Sequence, residues 1–377
     1  TGDNMEISRT ERLVNILSNL DGKLSDISAV AGFDGFIDII TRPIACGDGG
    51  TPKKYYNDIE EFSSFISKRR GISSSIELDK LDCKIGGNAP IYANALGSLG
   101  VPTTCIGAFG YPEAGNIFKS MSKNCKIIPV AEPGTCTAIE FTDGKLMLAL
   151  NGEINSMTWD MICRRAGMEK LINAFTESGL IGLFNWSETP LADDIWNGIL
   201  KDIVPNMGKD KQFLFDFSDC ARRKTKEIRS MLRIVKAFGT RFPITVSLNE
   251  NEAQAVFEAL DIDGEESLSE RSDGGRQFRE KISARNIVFH FNHYTLGFTQ
   301  GGACRYDTYK IRDPAITTGA GDNFNAGLSL GLLLGLPLMD AMMIASSTSS
   351  YYVAYGNSPG LSDLINFIKN SVQNPAE

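Results

Sequence analysis

The sequence predicts an α/β fold with a mainly parallel sheet between two layers of helices. Two observations carry this. From about residue 169 onwards, helical and strand patterns alternate, the order that sets parallel strands between helices. The chain has 377 residues with 42% hydrophobic content, ample for one large core with a small appendage.

Taken in order, residues 7–20 have apolar spacings of three and four and predict a helix. SAVAGFDGFIDII, 28–40, is strand-like and then breaks at glycine. RPIACGDGGTPKKYYND, 42–58, is rich in Gly, Pro and charge, and reads as an excursion from the core. Residues 89–99 predict a helix with Pro90 in its first turn and Gly100 as its stop. TTCIGAFG, 103–110, reads as a short buried strand. CTAIEFTDGKLMLAL, 136–150, predicts a hairpin turning through Asp143-Gly144 in a type I′ turn. Helices are then expected at 169–177, 192–203, 223–237 and 250–259. They alternate with strands at 180–184, 213–217, 244–247 and 286–291. The polar stretch 261–280 is expected to be an exposed loop with some helix. A helix from Asp322 to Leu334 should stop at Gly335, with Pro337 beyond.

Composition excludes several function classes. The formal charge of -8 without a basic stripe argues against a nucleic-acid partner. No apolar run reaches the ~18 residues of a membrane span, and the start has no apolar signal region. Eight cysteines without a C-x-x-C pair suit a cytoplasmic protein with reduced thiols rather than a zinc site. Two histidines leave little room for a Ser-His-Asp or multi-histidine site.

The stretch with the most chemistry is ITTGAGDNFNAG, 316–327. Unpaired N–H groups at a helix start, with the dipole's positive end, favour an anion. Gly319, Ala320 and Gly321 would form an anion hole for a transferring phosphoryl group. Asp322 beside it either takes a proton from an attacking hydroxyl or merely caps the helix. Gly327 and Gly331 cost ~1 kcal/mol each in a helix interior, which suggests close packing against a neighbour or nucleotide.

Three other segments bear on the question. Gly86 and Gly87 precede a helix; they form a tight turn or let a small polar ligand lie on the backbone, with Asn88 hydrogen-bonding it. Asp34, between Gly32 and Gly35, suits two adjacent hydroxyls of a sugar. Asp38 reads as a surface loop charge. In SLNENEA, 247–253, Asn249 and Glu252 have capping-box spacing. Glu252 could also help hold a hydrated magnesium ion.

GG-x12-G at 86–100, NENE at 249–252 and TTGAGDNFNAG at 317–327 occur in this order. Together they resemble the ribokinase-like (PfkB) carbohydrate kinase family, from roughly residue 29 to 365. The resemblance implies a three-layer α/β/α kinase domain, 29–370, with a small β-sheet lid from about 36–56 and 105–155. Residues 1–28 become an N-terminal helical extension. It implies Asp322 as catalytic base with the anion hole at 319–321. Asn249, Glu252, Thr318 and Asn325 would serve the nucleotide, and Glu252 the metal. Asp34, Gly86, Gly87 and Asn88 would contact the sugar. Asn185 and Trp186, at the end of strand 180–184, either line the sugar pocket or, for the tryptophan, sit in the core. The implied ligands are a small-molecule sugar, ATP and Mg2+, with a homodimer through the lid.

Three positions depart from the family. Ile316 replaces an aspartate that helps a monovalent cation site, which puts potassium activation in question. Pro112 replaces an acid. HFNHYTLG shifts or removes the nucleotide-contacting Thr-x-Gly, here Thr295-Leu296-Gly297. A nucleoside kinase is the rival within the class, and a stacking ring at Phe33, Phe36 or Trp186 would favour it. A non-catalytic sugar- or nucleotide-binding regulator is the rival outside it.

Overall fold

The computed structural model describes residues 2–20, 22–46, 52–263 and 268–373. Parts of the expected excursion (47–51) and of the expected 261–280 loop (264–267) lie outside the described residues. The strands in chain order are β1 Ala29–Phe33, β2 Phe36–Cys46, β3 Lys54–Tyr55, β4 Leu78–Gly86, β5 Thr103–Gly107, β6 Cys125–Pro129 and β7 Gly134–Phe141. They continue as β8 Gly144–Leu150, β9 Leu180–Leu183, β10 Gln212–Phe215, β11 Ile244–Asn249, β12 Asn286–His290, β13 Tyr294–Thr299 and β14 Gly302–Asp307.

Among the described residues, nine strands form the large sheet in the order β14-β13-β12-β11-β10-β9-β1-β5-β6. It is parallel from β12 through to β6, and β13 and β14 close one edge antiparallel. β1 and β9 are apolar runs buried at every position, as a sheet covered on both faces requires. Along β10, Phe213 and Phe215 enter one core and Leu214 enters the other, because successive side chains point to opposite faces. The helix Thr225–Gly239 shows how the outer layers form. Its Ile228, Met231, Leu232, Val235 and Phe238 recur at helical spacing and are buried, while its charged positions stay outside.

The smaller sheet runs β3-β2-β7-β8, with β4 also paired to β2. It differs from the expected lid segments. β4 lies outside them, whereas β6 and the end of β5 fall within 105–155 but belong to the large sheet. The hairpin turn also needs correction. Phe141 pairs with Gly144, so the loop is Thr142-Asp143, and neither residue takes the positive φ of a type I′ turn. Asp143 instead accepts the Ile59 N–H at 3.0 Å, which ties the turn to the start of the earlier helix Ile59–Lys68.

In the 261–280 stretch the expected helix is longer than a loop with some helix, running Leu268–Lys281, and it buries Phe278. The helix Gly2–Ser18 pins itself through Arg9 and Arg12 to buried Asp340. Gly327 and Gly331 are explained by a neighbouring helix, Leu338–Tyr355. A Cβ on Gly327 would lie 2.8 Å from Ala345 Cα, and one on Gly331 2.5 Å from Ala341 Cα. ASSTSS, 345–350, is thus a tight helix contact. No helix among the described residues is long and apolar enough to cross a membrane.

Candidate active site

The carboxyl ends of β1, β10 and β11 converge with the first turns of three helices, Asn88–Ser98, Glu250–Leu260 and Ala320–Leu333. In open α/β sheets this is where ligands bind. Four buried carboxylates gather there: Asp34, Asp216, Glu252 and Asp322. Sequence reasoning missed Asp216. Its signal was available, because it follows the apolar run QFLF as Asp34 follows AVAGF.

Gly319 caps the helix Ala320–Leu333 at φ 88, a left-handed conformation that glycine adopts without a Cβ penalty. No side chain caps this end, so Asp322 is not a helix cap. Its Oδ1 has no hydrogen-bond partner among the described residues, and its carboxyl is bonded by the Asn88 side chain. Burial, then Asp216 and Asp34, push Asp322 well above the usual carboxylate range. The expected amide trio needs one change. The Ala320 N–H already donates to the Thr317 carbonyl at 3.2 Å. The amides of Gly319, Gly321 and Asp322 make no hydrogen bond among the described residues, and they are the free donors. Thr318 beside them is exposed, and its carbonyl accepts the Tyr352 hydroxyl at 2.9 Å.

Asp34 is fully buried. Its carboxylate accepts the Asn88 N–H at 2.7 Å, the Ala89 N–H at 2.9 Å and Asn185 Nδ2 at 2.7 Å. It therefore caps the helix Asn88–Ser98 from a distant strand. Burial raises its pKa, and these three bonds with one from its own backbone N–H oppose that rise. Asn185, at φ 55, turns the chain after β9 to reach it. The Gly86-Gly87 pair makes room for protein carboxylates, not directly for a ligand. A Cβ on Gly86 would lie 2.3 Å from Asp38 Oδ1, and one on Gly87 2.7 Å from Asp34 Oδ2. Asn88 links three elements, since its Oδ1 accepts Ser218 Oγ at 3.1 Å while its side chain bonds Asp322.

Asn249 and Glu252 form the capping box, with Glu252 N–H to Asn249 Oδ1 at 3.0 Å and Asn249 N–H to Glu252 Oε2 at 2.9 Å. Burial, then Asp216, holds Glu252 well above the usual range. Asn325 is a correction. It lies within the helix, wholly buried, and its Nδ2 donates to Asp216 Oδ2 at 2.7 Å instead of facing a nucleotide. One turn along the helix from Asp322, it supports Asp216 from below. Burial pushes Asp216 up to about 6. Thr295 is fully buried in β13, so the shifted Thr-x-Gly offers no nucleotide contact there. At the end of β12, His290 packs on Phe324 with ring centres 4.9 Å apart, beside Gly321; burial lowers it to about 4.

The lid adds two residues. Asp38 is buried on β2, not a surface loop charge, and burial raises it to about 6 while Lys145 opposes the rise. Lys145, at the start of β8, donates to Thr318 Oγ1 at 3.1 Å and brings a positive charge to the amide turn.

No lysine or arginine pairs with any of the four buried carboxylates among the described residues. A divalent cation fits this excess of negative charge. No three metal-ligating side chains group together among the described residues.

A family model described as prokaryotic ketohexokinase matches residues 8–371. A ketohexokinase of Haloferax volcanii is 23% identical over 339 residues, 88% of each chain. Among solved structures, ribokinase from Thermotoga maritima superposes with a TM-score of 0.62 at 14% identity, covering 91% of this chain and 99% of that one. Phosphofructokinase-2 from Escherichia coli gives 0.64 at 13%, covering 91% and 99%. Adenosine kinase from Sinorhizobium meliloti gives 0.64 at 16%, covering 92% and 99%. These structures share the fold, and the ribokinase-like resemblance read from the motifs holds. The chain is a carbohydrate kinase, a phosphotransferase with an alcohol group as acceptor, and it belongs to the prokaryotic ketohexokinase family.

Proposed function

We propose that the protein transfers the γ-phosphoryl group of ATP to a primary hydroxyl of a ketohexose. One observation carries this reading: a buried carboxylate with a free oxygen, Asp322, stands beside three uncommitted amides at a helix start. Asp322 takes the proton of the attacking hydroxyl. Its raised proton affinity suits a base that must accept a proton near neutral pH. The amides of Gly319, Gly321 and Asp322 receive the charge on the moving phosphoryl oxygens, and Lys145 adds a cation from the lid. Asp34, Asn88 and Asn185 form the sugar side. The Asn88, Ala89 and Asn185 donors and its own backbone N–H reach the Asp34 carboxylate, so a sugar hydroxyl would share an oxygen with one of them.

Glu252 and Asp216 would hold magnesium through water, and the ion would neutralise the triphosphate when bound. Phe33, Phe36 and Trp186 are all buried in one core cluster, which favours a sugar over a nucleoside because none presents a ring face for stacking. Trp186 also donates its Nε1 to Asp193 at 2.7 Å.

The test is a panel of ketohexoses, aldohexoses, pentoses and nucleosides with ADP release as readout. Asp322→Asn should lower kcat by about 10³-fold or more while sugar and ATP binding stay within a few-fold. Near-normal turnover in that variant would overturn the base assignment. Turnover on nucleosides alone would overturn the substrate class.

A further inference from the structure

At the opposite end of the large sheet lies a cavity of about 650 Å3, at the amino ends of β10, β11 and β12. Arg241, Arg279 and Arg285 line it, with the carboxamide of Gln300, and no acidic residue lines it among the described residues. This is unusual for a chain with a net charge of -8. Several other arginines sit against carboxylates, as Arg12 does with Asp340, Arg165 with Glu153, and Arg305 with Asp307, while Arg42 and Arg69 lie over aromatic rings. Here Arg241 and Arg285 make no side-chain hydrogen bond or ion pair among the described residues. Arg279 donates through Nη1 to the Ala284 carbonyl at 3.2 Å and meets exposed Glu280 at 3.6 Å, but its Nε is buried and unpartnered.

The plainer explanation is that arginines gather where helices end, because three helices, Thr225–Gly239, Leu268–Lys281 and Ala320–Leu333, finish around this cavity. That explanation accounts for Arg279 and stops there. Each helix end contributes roughly half a negative charge, about -1.5 in all, against three full positive charges. The last helix has also satisfied its carbonyl at Leu332, which accepts Gln212 Nε2 at 3.3 Å and the Gly335 N–H at 3.0 Å. A net positive field is left over a pocket of ligand size, within the roughly 300–1,000 Å3 typical of small-molecule sites.

We propose that this cavity binds a phosphorylated small molecule, with Arg241 and Arg285 as phosphate ligands and half-buried Arg279 as the floor. Guanidinium forks match phosphate oxygens two at a time, which makes arginine suited to this class. The site is separate from the catalytic end. The helix that begins beside Asp322 ends here, about 20 Å away at 1.5 Å per residue. The inference does not depend on the kinase mechanism.

The test uses the full chain and pyrophosphate as probe, read by calorimetry at low salt and by backbone hydrogen exchange. Exchange protection is expected at 239–243 and 283–286, in addition to any at 317–322. Arg241→Ala with Arg285→Ala should weaken this binding by about tenfold or more while kcat and KM stay unchanged. Both side chains are exposed, so the double variant is expected to keep the wild-type melting temperature. Citrate serves as the non-phosphate anion. Protection confined to 317–322, binding indifferent to the double substitution, or no binding up to about 10 mM would each overturn the proposal. Tighter binding of citrate than of pyrophosphate would overturn the phosphate class.

Discussion

Lys145 Nζ donates to Thr318 Oγ1 at 3.1 Å, joining residues 173 apart in the chain. The lid thus touches the turn that carries the free amides, with a positive charge at the contact. A neutral side chain there would leave the amides in place but remove the cation. Lys145→Ala should lower kcat by about 10–100-fold with a smaller change in sugar KM, because the lost interaction is made with transferring charge. Lys145→Arg should recover part of it. Steady-state kinetics on the three proteins checks this, and a change in KM alone would reassign Lys145 to substrate capture.

Gly87 joins the lid strand β4 to the helix Asn88–Ser98. Its φ of 93 is strained for any other residue, and a Cβ there would press on Asp34 Oδ2 at 2.7 Å. The carboxylate cannot retreat, since it is held by Asn88, Ala89 and Asn185. Gly87→Ala should therefore cost about 2 kcal/mol or more of stability and raise the sugar KM. Gly71, also at positive φ but with open space around it, is the control for conformation alone. Urea unfolding of both alanine variants separates the two contributions.

Asp38 gives a pH signature. Burial raises it from 3.8 to about 6. The folded chain then holds this proton more tightly than the unfolded one. Its contribution to stability is full below the unfolded pKa and is lost as pH rises through about 6. Asp38→Asn removes the charge at every pH. The variant should match wild type near about pH 4 and exceed it at about pH 8, by on the order of 2–3 kcal/mol. Urea midpoints at the two pH values measure the difference. A variant less stable than wild type at the higher pH would mean that Lys145 compensates the charge fully.

Much of this fold was legible because its signals are local and repeated. The alternation after residue 169 reports a covered parallel sheet whichever side chains fill it. GAGD was legible because a helix start with glycines has few uses. What stayed hidden depends on pairings far apart in sequence. β4 is Leu78–Gly86, a run of alternating charge whose strand character comes from its partner β2. Asp38 read as a surface charge because nothing nearby reveals that β2 is covered on one face. Asn325 looked like a nucleotide ligand by position, but the helix turns it toward Asp216, 109 residues away. Lys145 reads as a turn lysine until the lid's position over residue 318 is known.

The lid also offers an edge. β8 ends the smaller sheet, so one side of its backbone is unpaired, and Met147, Leu148 and Leu150 on it are exposed. An apolar sheet edge of this kind invites a further strand. We propose that a second copy of the chain supplies it, lid against lid. Leu148→Asp would place a charge on that edge while leaving the catalytic groups untouched, since residue 148 is 56% exposed. Wild type should sediment as a dimer at micromolar concentration and the variant as a monomer. If lid pairing also holds Lys145 at Thr318, the variant should lose turnover in proportion to its loss of dimer. Equal sedimentation of the two proteins as dimers would place the interface elsewhere, and a monomeric wild type would remove it.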